Sequence, residues 1–387
     1  MSVITSVGKF VLLKLLYPYQ YKRYAKAQVV PRKVVFLEVR NDIISNSMSE
    51  VYKKIKGDNR YKISSHFLRE GVGGRKENIR RTLAFLKDMA TAEYVFLSEA
   101  NNCFACFDKR SETKVVQLWH GCGAFKKFGL STADLKFGSS RDQQIKYPLY
   151  NNLDLVTVSS EDVVWAYEEA MGINKNTIKA TGISRTDVFF DETYVEEAKE
   201  NVYEAIPQSK DKKIIFYAPT FRGDVSNAKA PDALDIQGLK ECLGDRYVLL
   251  IKHHPFVKKL PAIPIDCNDF AFDVTKTLNI DDLICAGDIC ISDYSSLVFE
   301  YALFNKPILF FAYDLDEYND WRGFYYDYDE LTPGPILYDT DQLIEAIKAV
   351  EKDFNDSEIK KFKERFMSAC DGKATDRIFN EIGMEVK

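Results

Sequence analysis

The 387-residue chain lacks the short motifs that mark several common enzyme classes. It has no GxxxxGK[ST] loop and no GxGxxG after a predicted strand, which argues against P-loop hydrolysis and dinucleotide-dependent oxidoreduction. A GxSxG nucleophile elbow is missing as well. The net charge is only −5, so the composition is not that of a general nucleic-acid-binding protein, and we expect no nucleic acid among its partners.

Cysteine is scattered and forms no disulfide framework. The eight cysteines include one CxxC pair, Cys103 and Cys106. A zinc site would need a second pair at matching spacing, and none follows. No signal peptide with a cleavage site begins the sequence, so a reducing cytosol is the expected environment. We therefore expect thiols without a bound metal.

Acidic residues are missing from the start of the chain, where the first is Glu38. The same stretch carries basic residues among leucines and tyrosines; these are Lys9, Lys14, Lys22, Arg23, Lys26, Arg32 and Lys33. The apolar run is too short to span a bilayer and is broken by Lys14 and Pro18. Residues 1–30 are therefore expected to dock on an anionic membrane surface, at the cytoplasmic face of the cell membrane. An ordinary N-terminal helix packed on the protein body is the alternative.

Length and apolar content predict two α/β domains. Apolar runs predict one series of buried strands at 33–37, 94–98, 114–118, 154–158 and 177–181. A second series is predicted at 213–218, 247–252, 270–274, 288–292 and 307–312. Helical patterns alternate with both series, and the acidic segment 190–211 separates them. We predict two doubly wound, Rossmann-type domains, 31–205 and 206–387, that face each other across a central cleft, with helices at the C-terminus.

Potentially reactive side chains follow the predicted strands. His120 follows strand 114–118, and His253 and His254 follow strand 247–252. Loops at strand ends are where a catalytic base belongs in such folds. Other polar groups at or near strand ends are Thr220, Arg222, Lys252, Asp293, Ser295, Ser296 and Arg322. Cationic and hydroxylic groups outnumber carboxylates, which favours an anionic substrate.

Residues 287–313 read as a strand, a hydroxyl-bearing turn, a helix and a second strand. Ser295 and Ser296 lie in the turn, where unpaired backbone N–H groups at the helix start suit a phosphate or pyrophosphate. The alternative is that one serine merely caps the helix.

Six separated motifs resemble the CDP-glycerol glycerophosphotransferase family; they are VVQLWHGCGAFKKFG (115–129), GISRTD (182–187), YAPTFRG (217–223), LIKHHP (250–255), ISDYSSLVFEYALFNKPILFFAYDLDEY (291–318) and RGFYYDY (322–328) with PGP (333–335). The resemblance implies a GT-B-like pair of Rossmann domains, the first for the acceptor and the second for the CDP-linked donor, with an amphipathic, membrane-associated N-terminal part. It also implies synthesis of the polyol-phosphate chains of teichoic acids.

The resemblance implies roles for particular residues. His120 would be the general base that takes a proton from the acceptor hydroxyl. His254 would contact the donor pyrophosphate and assist the departure of CMP, although the neighbouring His253 leaves open which histidine faces the cleft. Ser295 and Ser296 would bind the donor phosphates. Further phosphate or nucleotide contacts would come from Asp293, Lys252, Thr220, Arg222 and Arg322.

The expected reaction is transfer of glycerol phosphate from CDP-glycerol to a lipid-linked acceptor or a growing polymer. Helix-start N–H groups, hydroxyls and cations can stabilise the leaving CMP, so we expect no metal and no cofactor. Three alternatives stay open: another CDP-polyol such as CDP-ribitol as donor, a GT-B glycosyltransferase that uses a nucleotide sugar, and an inactive relative that serves as a binding or assembly subunit.

Overall fold

The computed structural model describes residues 3–69, 73–99, 101–133, 135, 138–224 and 227–387, without the side chains of 3–5 and 319–322. The contacts divide the chain into two compact units. The first unit comprises the described residues up to Gly121, together with Phe128–Asp187 and Ala369–Lys387. The second unit comprises Cys122–Lys127 and Val188–Ser368.

The first unit is built on a six-stranded parallel sheet with the strand order β2-β1-β3-β4-β5-β6. Its strands are β1 (Lys33–Glu38), β2 (Lys62–Phe67), β3 (Tyr94–Leu97), β4 (Lys114–Gln117), β5 (Leu155–Thr157) and β6 (Ile178–Lys179). Consecutive apolar residues of β1 are buried on both faces of the sheet. Continuous apolar strands of this kind need helices on both sides, which the connecting segments supply.

Helices cover both faces of this sheet. They are α1 (Val3–Phe10), a π-helical stretch (Val11–Leu16), α2 (Tyr17–Tyr24), α3 (Asn46–Gly57), α4 (Gly74–Met89), α5 (Asn102–Ala105), α6 (Arg141–Lys146), α7 (Val164–Met171) and the last helix of the chain, Ala374–Glu381. Helix α7 ends at Gly172, which caps it with a left-handed φ of 63°.

The predicted N-terminal helix is present from Val3 to Tyr24 and has two faces. Leu13, Tyr17 and Tyr21 are buried in the core of the first unit beside α4 and α5. The opposite face leaves Val7 57% and Leu15 55% exposed. The segment therefore packs on the protein body and still presents an apolar surface. Among the described residues, no helix is both long enough and apolar enough to cross a membrane.

The second unit has its own six-stranded parallel sheet, in the order β12-β11-β10-β7-β8-β9. Its strands are β7 (Lys213–Tyr217), β8 (Tyr247–Ile251), β9 (Ala271–Asp273), β10 (Ile289–Ser292), β11 (Ile308–Phe311) and β12 (Ile336–Leu337). Its helices are α8 (Glu192–Ala205), α9 (Ile236–Leu243), α10 (Ile280–Ala286), α11 (Leu297–Tyr301), α12 (Leu315–Arg322), α13 (Thr340–Lys352) and α14 (Ser357–Met367).

The chain passes from the first unit to the second at Asp187–Val188, earlier than the predicted boundary at 205/206. The reason is that α8 packs on α10: the Asn201 side-chain amide donates to Asp282 at 3.1 Å. The last residues, Ala369–Lys387, return to the first unit, where the backbone N–H groups of Ala374 and Thr375 donate to Asp187 at 2.9 and 2.8 Å.

Candidate active site

The strand orders locate the position where each unit can bind a ligand. In an open parallel sheet, ligands bind outside the carboxyl ends of the strands, at the point where the strand order reverses. That point lies between β1 and β3 in the first unit and between β7 and β10 in the second. Polar side chains follow all four strands: Arg40 after β1, Glu99 after β3, Thr220 after β7 and Ser295 after β10.

In the first unit, His120 follows β4 on a turn of unusual backbone geometry. The preceding residue, Trp119, has a φ of 62°, a left-handed conformation that is uncommon for a bulky residue. Its indole ring packs on Phe128 at 5.1 Å and on Tyr167 at 5.8 Å between ring centroids, which fixes the turn. The imidazole lies beside the indole at 4.6 Å and is 42% exposed. His120 is thus held by its neighbours but reachable from solvent.

Two charged residues lie beside His120. Its Nδ1 is 3.6 Å from Oε1 of Glu99, and the other carboxylate oxygen of Glu99 accepts from Nε of Arg40 at 2.5 Å. Glu38, at the end of β1, is buried and accepts from the Ser98 hydroxyl at 2.9 Å. The end of the first sheet therefore carries two carboxylates, a guanidinium and an imidazole.

Three effects shift the proton affinity of His120. Although 42% of the side chain stays exposed, the protein groups packed around the rest of the ring exclude water from it and lower its pKa to about 4, and the charges of Arg40 and Arg185 act in the same direction. A hydrogen bond to the backbone of Ser98 opposes them. Burial also raises the pKa of Glu99, and Arg40 opposes that shift. The imidazole of His120 is therefore neutral at physiological pH and able to accept a proton.

In the second unit, Asp293 joins the loops that follow β7 and β10. It is fully buried and accepts from the Thr220 backbone N–H at 2.9 Å, from the Thr220 hydroxyl at 2.8 Å and from Nη1 of Arg222 at 2.9 Å. Arg222 also binds Asp314 through Nε at 2.5 Å and Nη2 at 2.9 Å. Burial disfavours the charge on Arg222, but Asp293 and Asp314 more than offset this and raise its pKa. Arg222 thus lies between two carboxylates.

The two adjacent histidines have different surroundings. His253 is buried beside Tyr217 and Ile251, where it lines a cavity of about 310 Å³, and burial lowers its pKa. His254 is partly exposed, with its ring 4.9 Å from Phe221. Its Nδ1 accepts the Phe256 backbone N–H at 3.2 Å, so the hydrogen of the neutral ring lies on Nε2. In that state Nε2 is the donor nitrogen of the ring.

Lys252 supports a loop. Its Nζ donates to the carbonyl groups of Thr275 at 3.2 Å and Leu278 at 2.5 Å, which fixes the segment after β9. Burial lowers its pKa. The predicted role of Lys252 as a phosphate contact stays a prediction, and its ammonium group is already hydrogen-bonded.

The serine turn after β10 leads into α11. The Ser295 hydroxyl accepts from the Leu297 backbone N–H at 3.3 Å, while Ser296 is the N-cap residue, makes no side-chain cap and is exposed. Within the described part of the chain, the backbone N–H groups of Ser295 and Ser296 donate to no other residue. Both N–H groups are thus available to an anion. Arg322 ends α12, and its side chain lies outside the described residues.

Sequence reasoning did not single out Glu38, Arg40, Glu99 or Asp314 as members of the site. Glu38 and Glu99 stand at the ends of predicted strands, so the rule that identified His120 would have found them. Asp314 pairs with a residue 92 positions away, which a single sequence does not reveal. Among the residues with described placement, no group of three or more His, Cys, Asp or Glu side chains is arranged to hold a metal ion.

A model of the CDP-Glycerol:Poly(glycerophosphate) glycerophosphotransferase family matches residues 19–383. The teichoic acid poly(ribitol-phosphate) polymerase of Bacillus spizizenii is 35% identical over 95% of this chain, which spans only 58% of that relative's length. The teichoic acid ribitol-phosphate primase of the same organism is 33% identical over 90% of each chain. The teichoic acid glycerol-phosphate primase of Bacillus subtilis is 34% identical over 76% of this chain and 73% of the relative.

Solved structures share the fold. The wall teichoic acid polymerase TagF aligns with a TM-score of 0.76 and 22% identity, over 97% of this chain and 95% of the other. UDP-GlcNAc 2-epimerase from Neisseria meningitidis aligns with a TM-score of 0.54 and 13% identity, over 90% of this chain and 98% of the other. At such identities the likeness concerns the fold alone, and it confirms the predicted GT-B-like pair of Rossmann-type units.

Proposed function

Because the chain belongs to the CDP-glycerol:poly(glycerophosphate) glycerophosphotransferase family, a family of teichoic acid polyol-phosphate transferases, we propose that it transfers glycerol phosphate from CDP-glycerol. The acceptor is a hydroxyl group of a membrane lipid-linked molecule or of a growing teichoic acid-type polymer, and the second product is CMP. The observation that carries this proposal is the family match, which extends across both units and includes His120 and His254.

The chemistry requires one proton acceptor and stabilisation of a diphosphate. The acceptor oxygen attacks the β-phosphorus, a new P–O bond forms, and the bond from that phosphorus to the bridging oxygen breaks. CMP leaves with the electron pair, and the hydroxyl proton passes to a base. An alcohol is a weak nucleophile near neutral pH, and a positioned imidazole accelerates such attack by about 10²–10⁴-fold.

His120 is the proposed base. Its lowered pKa keeps the ring neutral, and its exposure gives an alcohol access to it.

His254, Ser295 and Ser296 form the proposed donor phosphate site. The Nε2–H of His254 is suited to donate to a phosphate oxygen, since Nδ1 is already an acceptor. The available N–H groups of the two serines add hydrogen bonds at a helix start. Together these groups would stabilise the charge that develops on the departing CMP.

Thr220, Arg222, Asp293, Lys252 and Arg322 complete the proposed donor site. Arg222 forms ion pairs with both Asp293 and Asp314, so this cluster has no net positive charge to offer a phosphate. Arg222 is therefore proposed to shape the loop after β7 and to contact a phosphate only as part of that network.

Another CDP-polyol, such as CDP-ribitol, is the second candidate donor. Two of the relatives are named as ribitol-phosphate enzymes and a third as a glycerol-phosphate enzyme, so family membership alone favours neither. A nucleotide-sugar donor, or a binding role without catalysis, would follow only if no CDP-polyol were turned over.

The test is a CMP-release assay with a lipid-linked acceptor mimic, over CDP-glycerol, CDP-ribitol and a set of nucleotide sugars. Turnover with CDP-glycerol and none with sugar nucleotides is the expected result. A preference for CDP-ribitol would change the donor but not the reaction. Release from a sugar nucleotide only, or from no donor, would contradict the proposal. A His120→Ala variant is the control for background hydrolysis.

The N-terminal helix is proposed to dock on an anionic membrane at its cytoplasmic face. A basic group lies beside its exposed apolar face: the Nζ of Lys146 is 5.8 Å from the ring centroid of Phe10, which is 42% exposed. Each basic group near such a surface adds about 1 kcal/mol.

Leu15→Glu should reduce flotation with anionic vesicles. The matched control Ile265→Glu changes a residue that is 86% exposed in the second unit and should not. Equal flotation of both variants would contradict the proposed surface.

A further inference from the structure

Glu99 has the position expected of a residue that orients the proposed base. It follows β3, is half-buried, and directs one carboxylate oxygen to Nδ1 of His120 at 3.6 Å. Its other oxygen is held by Arg40 at 2.5 Å. The carboxylate thus lies between a guanidinium that contacts it at hydrogen-bond distance and an imidazole at ion-pair distance, and Nδ1 is the ring nitrogen that forms this contact.

We propose that Glu99 is a positioning residue for His120: its carboxylate holds the imidazole hydrogen on Nδ1, so that Nε2 is the nitrogen that accepts the proton of the acceptor hydroxyl. This inference rests on the proposed function, in which His120 is the base. When Nε2 takes up the proton, the imidazolium forms beside a carboxylate, and the pair of opposite charges favours the protonated ring.

The surroundings show why such a partner is needed. The other charged groups that face His120 are Arg40 and Arg185, and both disfavour the imidazolium. The backbone of Ser98 accepts a hydrogen bond from the ring, whereas the Glu99 carboxylate lies at ion-pair distance. Without Glu99, the ring would face two guanidinium groups and one carbonyl. His120 would then be a weaker base, and its ring hydrogen would be less strongly confined to Nδ1.

Arg40 favours the charged form of Glu99. Burial and the nearby Glu38 raise the pKa of Glu99, and Arg40 opposes both effects. Arg40 is 62% exposed and contacts the carboxylate through Nε. The guanidinium therefore supports the charge of the carboxylate.

Nitrogen NMR of the histidine rings tests the placement of the hydrogen without any assay of activity. The chain has only four histidines, so their ring nitrogens can be assigned with single substitutions. His66 serves as an internal reference, because its Nε2 contacts Asp88 at 2.8 Å and its hydrogen should lie on that nitrogen. In the wild-type protein we expect the opposite tautomer for His120, with the hydrogen on Nδ1.

Two variants separate hydrogen bonding from charge. Glu99→Gln keeps an acceptor and loses the charge, whereas Glu99→Ala loses both. We expect kcat for CMP release to fall about tenfold in the first variant and further in the second, within the range that general-base catalysis supplies. The acid limb of the kcat/KM profile should move to lower pH, since loss of a neighbouring anion lowers the pKa of an imidazole. Only Glu99→Ala should disturb the tautomer. Glu112→Ala, which removes another arginine-paired glutamate of the first unit, is the matched control.

The outcomes distinguish this inference from the function on which it rests. A wild-type His120 with its hydrogen on Nε2 would overturn the inference. So would a Glu99→Ala variant with wild-type kcat and an unchanged tautomer, because Ser98 alone would then place the hydrogen. If His120→Ala itself kept full activity, the proposed function would fail instead, whatever the tautomer.

Discussion

Replacement of Gly123 by alanine tests how tightly the segment after His120 is held in the second unit. Gly123 has a φ of 62°, which L-residues avoid. A Cβ added there would lie 2.3 Å from Cε2 and Cζ of Phe299, a residue of α11. Phe299 is fully buried and stacks on Phe362 at 5.0 Å, so its ring has no space into which it can move. The added methyl group must displace part of this aromatic core.

The expected cost has two parts. An L-residue in the left-handed region costs roughly 1–2 kcal/mol. Overpacking a closed core with one extra carbon costs about 1–3 kcal/mol. Together they give about 2–5 kcal/mol, which lowers the melting temperature of a domain of 150–250 residues by roughly 4–20 °C.

Gly383→Ala provides a matched control. Its φ of 68° is similar, but an added Cβ there has no neighbour within 4 Å, so only the backbone cost applies. Thermal and urea unfolding of the full-length variants, followed by circular dichroism, measures both costs. Gly123→Ala should be destabilised by about 1–3 kcal/mol more than the control. Equal losses in the two variants would show that the contact with Phe299 is not tight, and the packing of Cys122–Lys127 in the second unit would be in question.

Four further predictions concern catalysis and stability. His120→Ala should abolish CMP release while calorimetry shows CDP-glycerol binding largely intact; wild-type turnover would exclude His120 from the mechanism. Because the neutral ring is the active form and its pKa is lowered to about 4, kcat/KM should stay level as the pH falls through 6.5, and an inflection at that value would contradict the lowered pKa. Arg222→Lys should destabilise the second unit by about 1–3 kcal/mol in urea unfolding, since lysine cannot reach Asp293 and both oxygens of Asp314 together; an unchanged midpoint would argue against the network. Exhaustive chelation should leave full activity, and a loss restored by Mg²⁺ would show that a metal is required.

Most strands were predicted from apolar runs in the sequence, and the strands that were missed show the limit of this approach. The run at 33–37 became β1, Lys33–Glu38, since its residues are buried on both faces. The edge strand β2 was missed because its sequence, KISSHF, is polar and only partly buried. An edge strand has one neighbour in the sheet, and it needs less apolar surface than a central strand. β12 has only two residues and gives no pattern to detect.

The site was predictable where a rare residue type stands at a strand end. His120 and His254 were predicted in this way, and their catalytic roles stay predictions. Pairings between distant parts of the chain were not, because partner choice depends on sheet order. Arg222 meets Asp293 only because β7 and β10 are neighbours, and the sequence alone does not state that order.

Each unit has a buried carboxylate that is hydrogen-bonded by a neighbouring loop. This shared feature bears on which groups can transfer a proton to or from a substrate. Glu38, at the end of β1, accepts from Ser98, which follows β3. Asp293, which follows β10, accepts from Thr220, which follows β7. A buried carboxylate must be hydrogen-bonded to be tolerated, and here the bonds come from the neighbouring loop. Each carboxylate therefore joins two loops and has its oxygens occupied by protein donors. A proton-transfer group needs an atom open to the substrate, which His120 has and these two acids lack. The imidazole is thus the better candidate for the base on grounds independent of its pKa.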